Sequence, residues 1–228
     1  MNFKKIAIVS VAVNLVGFLF FAGMKIIHRP PPPMKDSRTE YCDKWNTART
    51  GVFEHLSIDS LDIIFVGNSI TEGFPLQETF GTLHVKNRGI SGNQSRHILG
   101  RIQEITVGHP KKIFFDIGIN DLIDGVPLDS ILMHYDSIID LVHDMSSTTE
   151  IYIQSVFPVG PEYKDIAASI PAFNTMLRIM CKSRKITYVD LYYKLLKGDY
   201  LDAAYTFDGL HLTGPGYQIW KSAIMPFL

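Results

Sequence analysis

The chain has 228 residues, 46% of them hydrophobic and 20% charged, and its 22 Lys and Arg against 23 Asp and Glu leave a formal net charge of −1. Near-neutrality argues against a nucleic-acid binder, which needs a basic face to neutralise phosphates, and apolar content this high excludes disorder over most of the length. Two cysteines, Cys42 and Cys181, exclude a disulfide scaffold and a cysteine-rich zinc module, and their spacing does not say whether they pair.

In chain order, the first feature is an almost wholly apolar run from Ile6 to Ile27, preceded by Lys4 and Lys5. About 20 residues rising ~1.5 Å each match a hydrocarbon core of roughly 30 Å. A buried core helix rarely stays apolar all round for that length. The small-x-small cleavage pattern is poorly met because Phe20 stands two residues before Ala22. Residues 1–28 therefore read as an uncleaved signal anchor, with a removed signal peptide as the alternative. Basic residues lie on both sides of it and do not fix its orientation. Consecutive prolines from Pro30 to Pro33 lock the backbone near polyproline II, so residues 29–36 read as a stiff linker.

Residues 37–228 alternate between two periodicities. A leading helix is expected from about Ser37 to His55. Strand-length apolar runs then recur at Leu61–Val66, Lys112–Ile117, Ile151–Val156 and Ile186–Leu191, with a weaker one at Leu83–Asn87. They lack strict polar alternation, as strands buried on both faces do. Between them, Ile98, Ile102 and Ile105 share a helical face. Leu132, Tyr135, Ile138, Ile139 and Val142 share another, and so do Ile170, Phe173, Met176, Leu177 and Met180. A closing helix follows Pro215. Five strands separated by helices imply parallel pairing through right-handed crossovers, hence a three-layer αβα sandwich with a five-stranded parallel sheet. Ligands of such sheets bind beyond the carboxyl ends of the strands.

Four segments at those ends carry chemistry. Val66-Gly67-Asn68-Ser69 follows the first strand and exposes a hydroxyl on a turn into a helix. Asn87-Arg88-Gly89-Ile90-Ser91-Gly92-Asn93 follows the second, where glycines allow close backbone approach. Asp116-Ile117-Gly118-Ile119-Asn120-Asp121 follows the third and offers a side-chain amide. Asp208-Gly209-Leu210-His211 precedes the last helix. A serine needs an imidazole to take its proton, and the imidazole needs an acceptor to fix its tautomer. The oxyanion of a tetrahedral intermediate needs preorganised N–H donors. The four segments supply each role once.

In these blocks the sequence resembles a GDSL-type esterase, more narrowly an SGNH hydrolase, from about Leu61 to the end of the chain. The resemblance implies a flavodoxin-like fold with Ser69 as nucleophile, His211 as general base and Asp208 orienting it. It also implies an oxyanion hole built from the Ser69 and Gly92 N–H groups and the Asn120 side chain. One departure stands out: the family's first block commonly reads Gly-Asp-Ser, and here Asn68 occupies the aspartate position.

Other readings of these residues are local. Ser69 is a candidate helix N-cap, Asn120 with Asp121 and Asp208 with Gly209 are turn pairs, and Asn93-Gln94-Ser95 spells a glycosylation sequon. His134 and His143 lie on helical segments, and His55, His84, His97 and His109 show no metal-ligand spacing with one another, so no metal is expected. Arg88 and Asp121 flank the candidate site and are expected to fix its loops. No phosphate-cradling glycine motif occurs, and no cofactor or nucleic-acid partner is expected. The segment from Phe157 to Tyr163 is expected to shape the substrate pocket. The apolar run implies a membrane-anchored, extracytoplasmic domain, and the resemblance implies an esterase acting on small acyl esters, with O-acetyl groups on carbohydrates such as sialic acid favoured. A lysophospholipase or thioesterase, an acyltransferase and a non-catalytic glycan-binding domain are the alternatives. Nothing in the sequence specifies an oligomeric state.

Overall fold

A computed structural model describes residues 37–228. The expected signal anchor (1–28) and proline-rich linker (29–36) lie outside the described residues. Among the described residues, no helix is long and apolar enough to cross a membrane.

Helix α1, Ser37–Phe53, leads into β1, Ile63–Gly67. Two short helices follow, α2 at Ser69–Glu72 and α3 at Leu76–Phe80, before β2, Val85–Gly89. Next come α4, Ser95–Gly100, and α5, Ile102–Thr106, then β3, Lys112–Asp116, and α6, Ile119–Ile123. The long α7, Leu128–Met145, precedes β4, Glu150–Gln154. A 3-10 turn at Pro161–Tyr163, α8 at Lys164–Ala167 and α9 at Ser169–Arg184 then lead to β5, Thr187–Val189. Helix α10, Tyr192–Leu195, a small antiparallel pair Leu196–Lys197 with Tyr200–Leu201, and α11, Gly214–Ile224, complete the chain.

The five strands form one parallel sheet in the order β2-β1-β3-β4-β5. Its pleat sends alternate residues to opposite layers. Ile64, Val66, Ile113, Phe115 and Ile153 pack beneath Ile98, Ile105, Ile138, Ile139 and Phe173. On the other face, Phe65, Phe114 and Tyr152 stand in register on three neighbouring strands and stack in succession at 4.8 and 4.5 Å. Trp220 and Ile224 of α11 cover that face, with Phe74 and Leu76. Both faces are buried, which is why these strands read as continuous apolar runs.

Two expectations change in detail, and one element is additional. The weak second strand is β2, shifted two residues toward the carboxyl terminus, and its polar sequence suits an edge position. Asn87 Nδ2 donates to the carbonyls of Thr71 and Phe74 at 2.7 and 3.0 Å, and the Arg88 guanidinium lies over the Phe53 ring. The expected helix through Ile98, Ile102 and Ile105 breaks into α4 and α5. At the break, Arg101 leaves helical geometry (φ −122°) so that its buried guanidinium reaches Asn93 Oδ1, Glu104 and the Arg88 carbonyl. The pair Leu196–Lys197 with Tyr200–Leu201 was not expected, because two-residue strands leave no periodicity to read. Cys42 and Cys181 are not joined by a disulfide, and burial pushes the Cys181 thiol up to about 12.

Candidate active site

The carboxyl ends of β1, β2 and β3 lie side by side, with Gly67 paired to both Gly89 and Asp116. Close packing demands both glycines. A Cβ on Gly67 would stand 2.1 Å from Thr71 Oγ1, and one on Gly89 would stand 2.2 Å from the Glu72 amide nitrogen. Helix α2 is thereby seated directly on the strand ends. The cap of that helix is Asn68, which is fully buried and accepts the Ile70 N–H through Oδ1 at 2.9 Å. Asn68 thus takes the capping role available to Ser69 and leaves the serine hydroxyl uncommitted to the helix. Asparagine at the position where the family commonly has aspartate still supplies the capping oxygen, and its Nδ2 lies 3.5 Å from the Asp116 carbonyl.

Ser69 Oγ lies 2.9 Å from His211 Nε2, across 142 residues of chain. His211 Nδ1 lies 2.7 Å from Asp208 Oδ2. The other oxygen, Asp208 Oδ1, accepts the backbone N–H groups of His211 and Leu210 at 2.8 and 3.0 Å. Burial pushes the Asp208 carboxyl up, but the hydrogen bonds from the His211 ring and from the two backbone amides outweigh it, so its pKa is lowered. An ionised acceptor beside Nδ1 keeps the proton on that nitrogen and leaves Nε2 to accept the serine proton. The loop carrying these groups is held by Thr206 Oγ1 donating to the His211 carbonyl at 2.8 Å and by Thr213 N–H donating to Tyr205.

The segment expected to shape the pocket packs against this loop. Gly160 N–H donates to the Gly209 carbonyl at 2.6 Å, and Val156 to Gly160 are buried. Its contacts brace the histidine loop. Phe207 stacks on the His211 ring at 5.9 Å and is 74% exposed; sequence reasoning passed over it because a lone aromatic in a loop carries no pattern.

Gly92 and Asn120 come together around Asn93. Gly92 has φ +78° inside the turn closed by Asn93 N–H donating to the Ile90 carbonyl, and Asn120 Nδ2 donates to the Asn93 carbonyl at 3.1 Å. Ile90 N–H donates to the Gly67 carbonyl, which ties this turn to the strand end that carries Ser69. Among the described residues, the Ser69 and Gly92 N–H groups make no hydrogen bond. The sequon is closed to modification in the fold, since Asn93 is fully buried and its side chain bonds to Asn46 and Arg101.

Arg88 and Asp121 both fix loops. Arg88 Nε lies 3.5 Å from Glu104, and Asp121 accepts the Ser95 N–H and Oγ–H at 2.9 and 2.6 Å. His134 Nδ1 lies 2.7 Å from the same hydroxyl. Beneath the nucleophile loop, Asp116 is fully buried with one weak donor, Thr71 Oγ1 at 3.3 Å. Burial pushes its carboxyl up to about 7 against that single hydrogen bond. At the opposite end of the sheet, Asp59, Asp62 and His84 converge. There Lys86 Nζ lies 3.7 Å from Asp62, so a side chain already supplies a cation.

Comparisons with known proteins identify the family of the chain. The family described as GDSL-like Lipase/Acylhydrolase matches residues 65–219. Platelet-activating factor acetylhydrolase IB subunit alpha2 of Rattus norvegicus is 24% identical over 183 residues, covering 77% of this chain and 79% of its own. A solved structure from Streptococcus pneumonia superposes with a TM-score of 0.76 at 29% identity, covering 82% of this chain and 94% of its own. An acetylxylan esterase from Geobacillus stearothermophilus shares the fold, with a TM-score of 0.61 at 20% identity over 74% of this chain and 94% of its own. The chain belongs to the GDSL-like lipase/acylhydrolase family, and it is a carboxylic ester hydrolase.

Proposed function

We propose that this GDSL-like acylhydrolase is a serine acetylesterase that removes O-acetyl groups from carbohydrates, sialic acid among them. The observation that carries the mechanism is the Ser69–His211–Asp208 chain of contacts at 2.9 and 2.7 Å. Ser69 Oγ attacks the acetyl carbonyl carbon as its proton passes to His211 Nε2. The carbonyl oxygen becomes an anion that takes hydrogen bonds from the Ser69 and Gly92 N–H groups and from Asn120. The bond to the sugar oxygen then breaks, and that oxygen leaves with the proton held on His211. A water gives its proton to the same nitrogen, attacks the acetyl-serine, and releases acetate with the hydroxyl restored.

The surroundings of the base support a bulky alcohol. The exposed Phe207 ring beside His211 offers a flat face for a sugar ring on the leaving-group side. The curated relative named above is an acetylhydrolase by name, which supports the acetyl group but leaves the lipid substrate as the second reading. We place the domain outside the cytoplasm, tethered by residues 1–28.

The test is acetate release by the full-length protein in detergent. The substrates are O-acetylated sialic acid, acetylated xylan and an acetyl phospholipid, with p-nitrophenyl acetate, butyrate and octanoate alongside and Ser69→Ala as control. Equal rates for the wild type and Ser69→Ala would end the serine mechanism. Preference for octanoate or the phospholipid would move the substrate to lipid.

A further inference from the structure

Helix α1 lies ahead of the matched family segment, and Phe53 is its fully buried residue. A helix docks on a core through an apolar stripe. Here the described contacts of α1 with the domain are largely polar, and they converge on the turn that carries Gly92. Positions 42, 46 and 49 share one face of α1. Cys42 Sγ lies against Gly92, where an added Cβ would stand 2.3 Å from the sulfur. Asn46 Oδ1 accepts Asn93 Nδ2 at 3.1 Å. Arg49 Nε lies 3.7 Å from Glu72, whose other oxygen accepts the Ser91 N–H and Oγ–H at 2.8 and 2.5 Å.

Beside that face, Asp43 Oδ1 accepts Arg96 Nη2 at 2.6 Å and His97 Nε2 at 2.9 Å. His97 Nδ1 accepts the Gln94 N–H at 2.9 Å, which assigns the imidazole proton to Nε2 and makes it a donor to Asp43. Residues 91 to 97 are thus gripped from one side by α1. From the other side they are held by α6 and the residue after it: Asn120 to the Asn93 carbonyl, Asp121 to Ser95, and Asp124 to Gln94. Both candidate oxyanion donors in this region, the Gly92 N–H and the Asn120 amide, adjoin Asn93, and the Asn93 side-chain amide hangs on α1.

We propose that α1 is a positioning element for the oxyanion loop, acting through Asn46 and Asp43, and that the rate of ester cleavage depends on this grip. The inference rests on the reading of Ser69, Gly92 and Asn120 as nucleophile and donors. Displacing a reacting arrangement by about 1 Å costs up to roughly 10²-fold in rate, so the contacts of a helix far from Ser69 in sequence reach the chemistry through Asn93.

The test uses full-length Asn46→Ala, Asn46→Asp, Asp43→Asn and Ser69→Ala. It reads kcat and KM on p-nitrophenyl acetate, the inhibition constant of a phenylboronic acid, which forms a tetrahedral anion on a reactive serine, and the melting temperature. Expected are a drop in kcat of about tenfold or more for Asn46→Ala and Asp43→Asn with KM within about twofold, and boronate inhibition weakened by the same factor. Asn46→Asp, which keeps an oxygen for Asn93 Nδ2, should stay within about threefold of wild type. Unchanged kcat in both variants overturns the proposal, as does a loss that follows melting temperature and disappears when the assay is cooled. If Ser69→Ala is inactive while the helix variants match wild type, this inference alone falls; if Ser69→Ala matches wild type, the reading of the site falls and the inference with it.

Discussion

Replacing Asp208 by asparagine tests the proposed proton path without changing the shape of the side chain. Asp208 Oδ1 accepts two backbone N–H groups, at 2.8 and 3.0 Å, and only an oxygen satisfies them. The amide of Asp208→Asn must therefore keep its oxygen there and turn its NH2 toward His211 Nδ1, at the position where Oδ2 now lies 2.7 Å away. An N–H facing Nδ1 requires a lone pair on that nitrogen, so the imidazole proton moves to Nε2. Nε2 then points a hydrogen at Ser69 Oγ from 2.9 Å and cannot accept one. Reaction from this state requires the opposite tautomer, in which two N–H groups oppose each other. The corresponding change in a serine protease costs about 10⁴-fold in kcat, equivalent to about 5 kcal/mol at ~1.4 kcal/mol per decade. Asp208 is a third exposed, so water can share the contact, and about 10³-fold is the lower expectation. Steady-state hydrolysis of p-nitrophenyl acetate at pH 7 measures it, with urea unfolding to establish that the variant is folded. Retention of more than a tenth of the wild-type kcat would refute the argument, because the imidazole tautomer would then be set by something other than Asp208.

Asn120→Ala removes one proposed oxyanion donor and should lower kcat by about 10²–10³-fold, or ~2.7–4 kcal/mol, with little change in KM; the same ester assay reads it. Gly92→Ala places a Cβ 2.3 Å from Cys42 Sγ at a backbone φ of +78°, so it should destabilise the fold by at least about 1–2 kcal/mol from the dihedral alone. Adding Cys42→Ala should recover only the steric part, as measured by urea unfolding in a double-mutant cycle. Asp116 has a folded-state pKa raised from 3.8 to about 7 by burial, so the folded protein holds that proton more tightly than the unfolded chain. Its contribution is fully present below pH ~4 and is lost as pH rises through ~7, on the order of 4 kcal/mol in all. Asp116→Asn should therefore match wild type near pH 4 and exceed its urea stability by that order at pH 8, whereas a constant difference across pH would refute the burial argument.

How much of this was legible depended on how far apart the interacting residues lie and whether they repeat. Buried parallel strands announce themselves because both faces demand apolar side chains, and four of the five were placed within a few residues. The edge strand β2 was faint because Lys86, Asn87 and Arg88 pack into loops and against Phe53 on the open side of the sheet. The break at Arg101 was hidden because a guanidinium that unwinds a helix to reach Asn93 and Glu104 looks, in sequence, like any exposed arginine. Ser69, Asp208 and His211 were readable as candidates because each follows a strand or precedes a helix where a turn presents it. The role of Asn68 as the cap of α2 follows from its position between Gly67 and the helix, but the freedom this leaves to Ser69 emerges only from the hydrogen bonds. The grip of α1 on the Gly92 turn had no sequence signal, since Cys42, Asp43 and Asn46 stand some fifty residues from their partners with no spacing to link them.

The two halves of the candidate site differ in what holds them, and the difference bears on the substrate. Ser69 rests on a turn so tightly seated that Gly67 and Gly89 admit no side chain. Beside it Asn93 is inaccessible and Asn120 5% exposed, while Ser91 and Gly92 of the turn are half-buried. The base sits on a loop organised by its own Asp208 turn and braced by one short contact with Gly160, with a third of its ring side chain in solvent and Phe207 lying flat beside it. A group whose carbonyl enters the buried half meets fixed walls, which favours a short acyl chain. A group departing past His211 and Phe207 meets open surface, which tolerates a large alcohol. On the proposed reading, an ester matched to that asymmetry pairs a small acid with a bulky hydroxyl partner, as an acetylated sugar or an acetyl phospholipid does. A long-chain lipid ester presents the reverse distribution of bulk, and to accommodate its acyl chain the segments around Asn93, which are pinned by α1 and α6, would have to part.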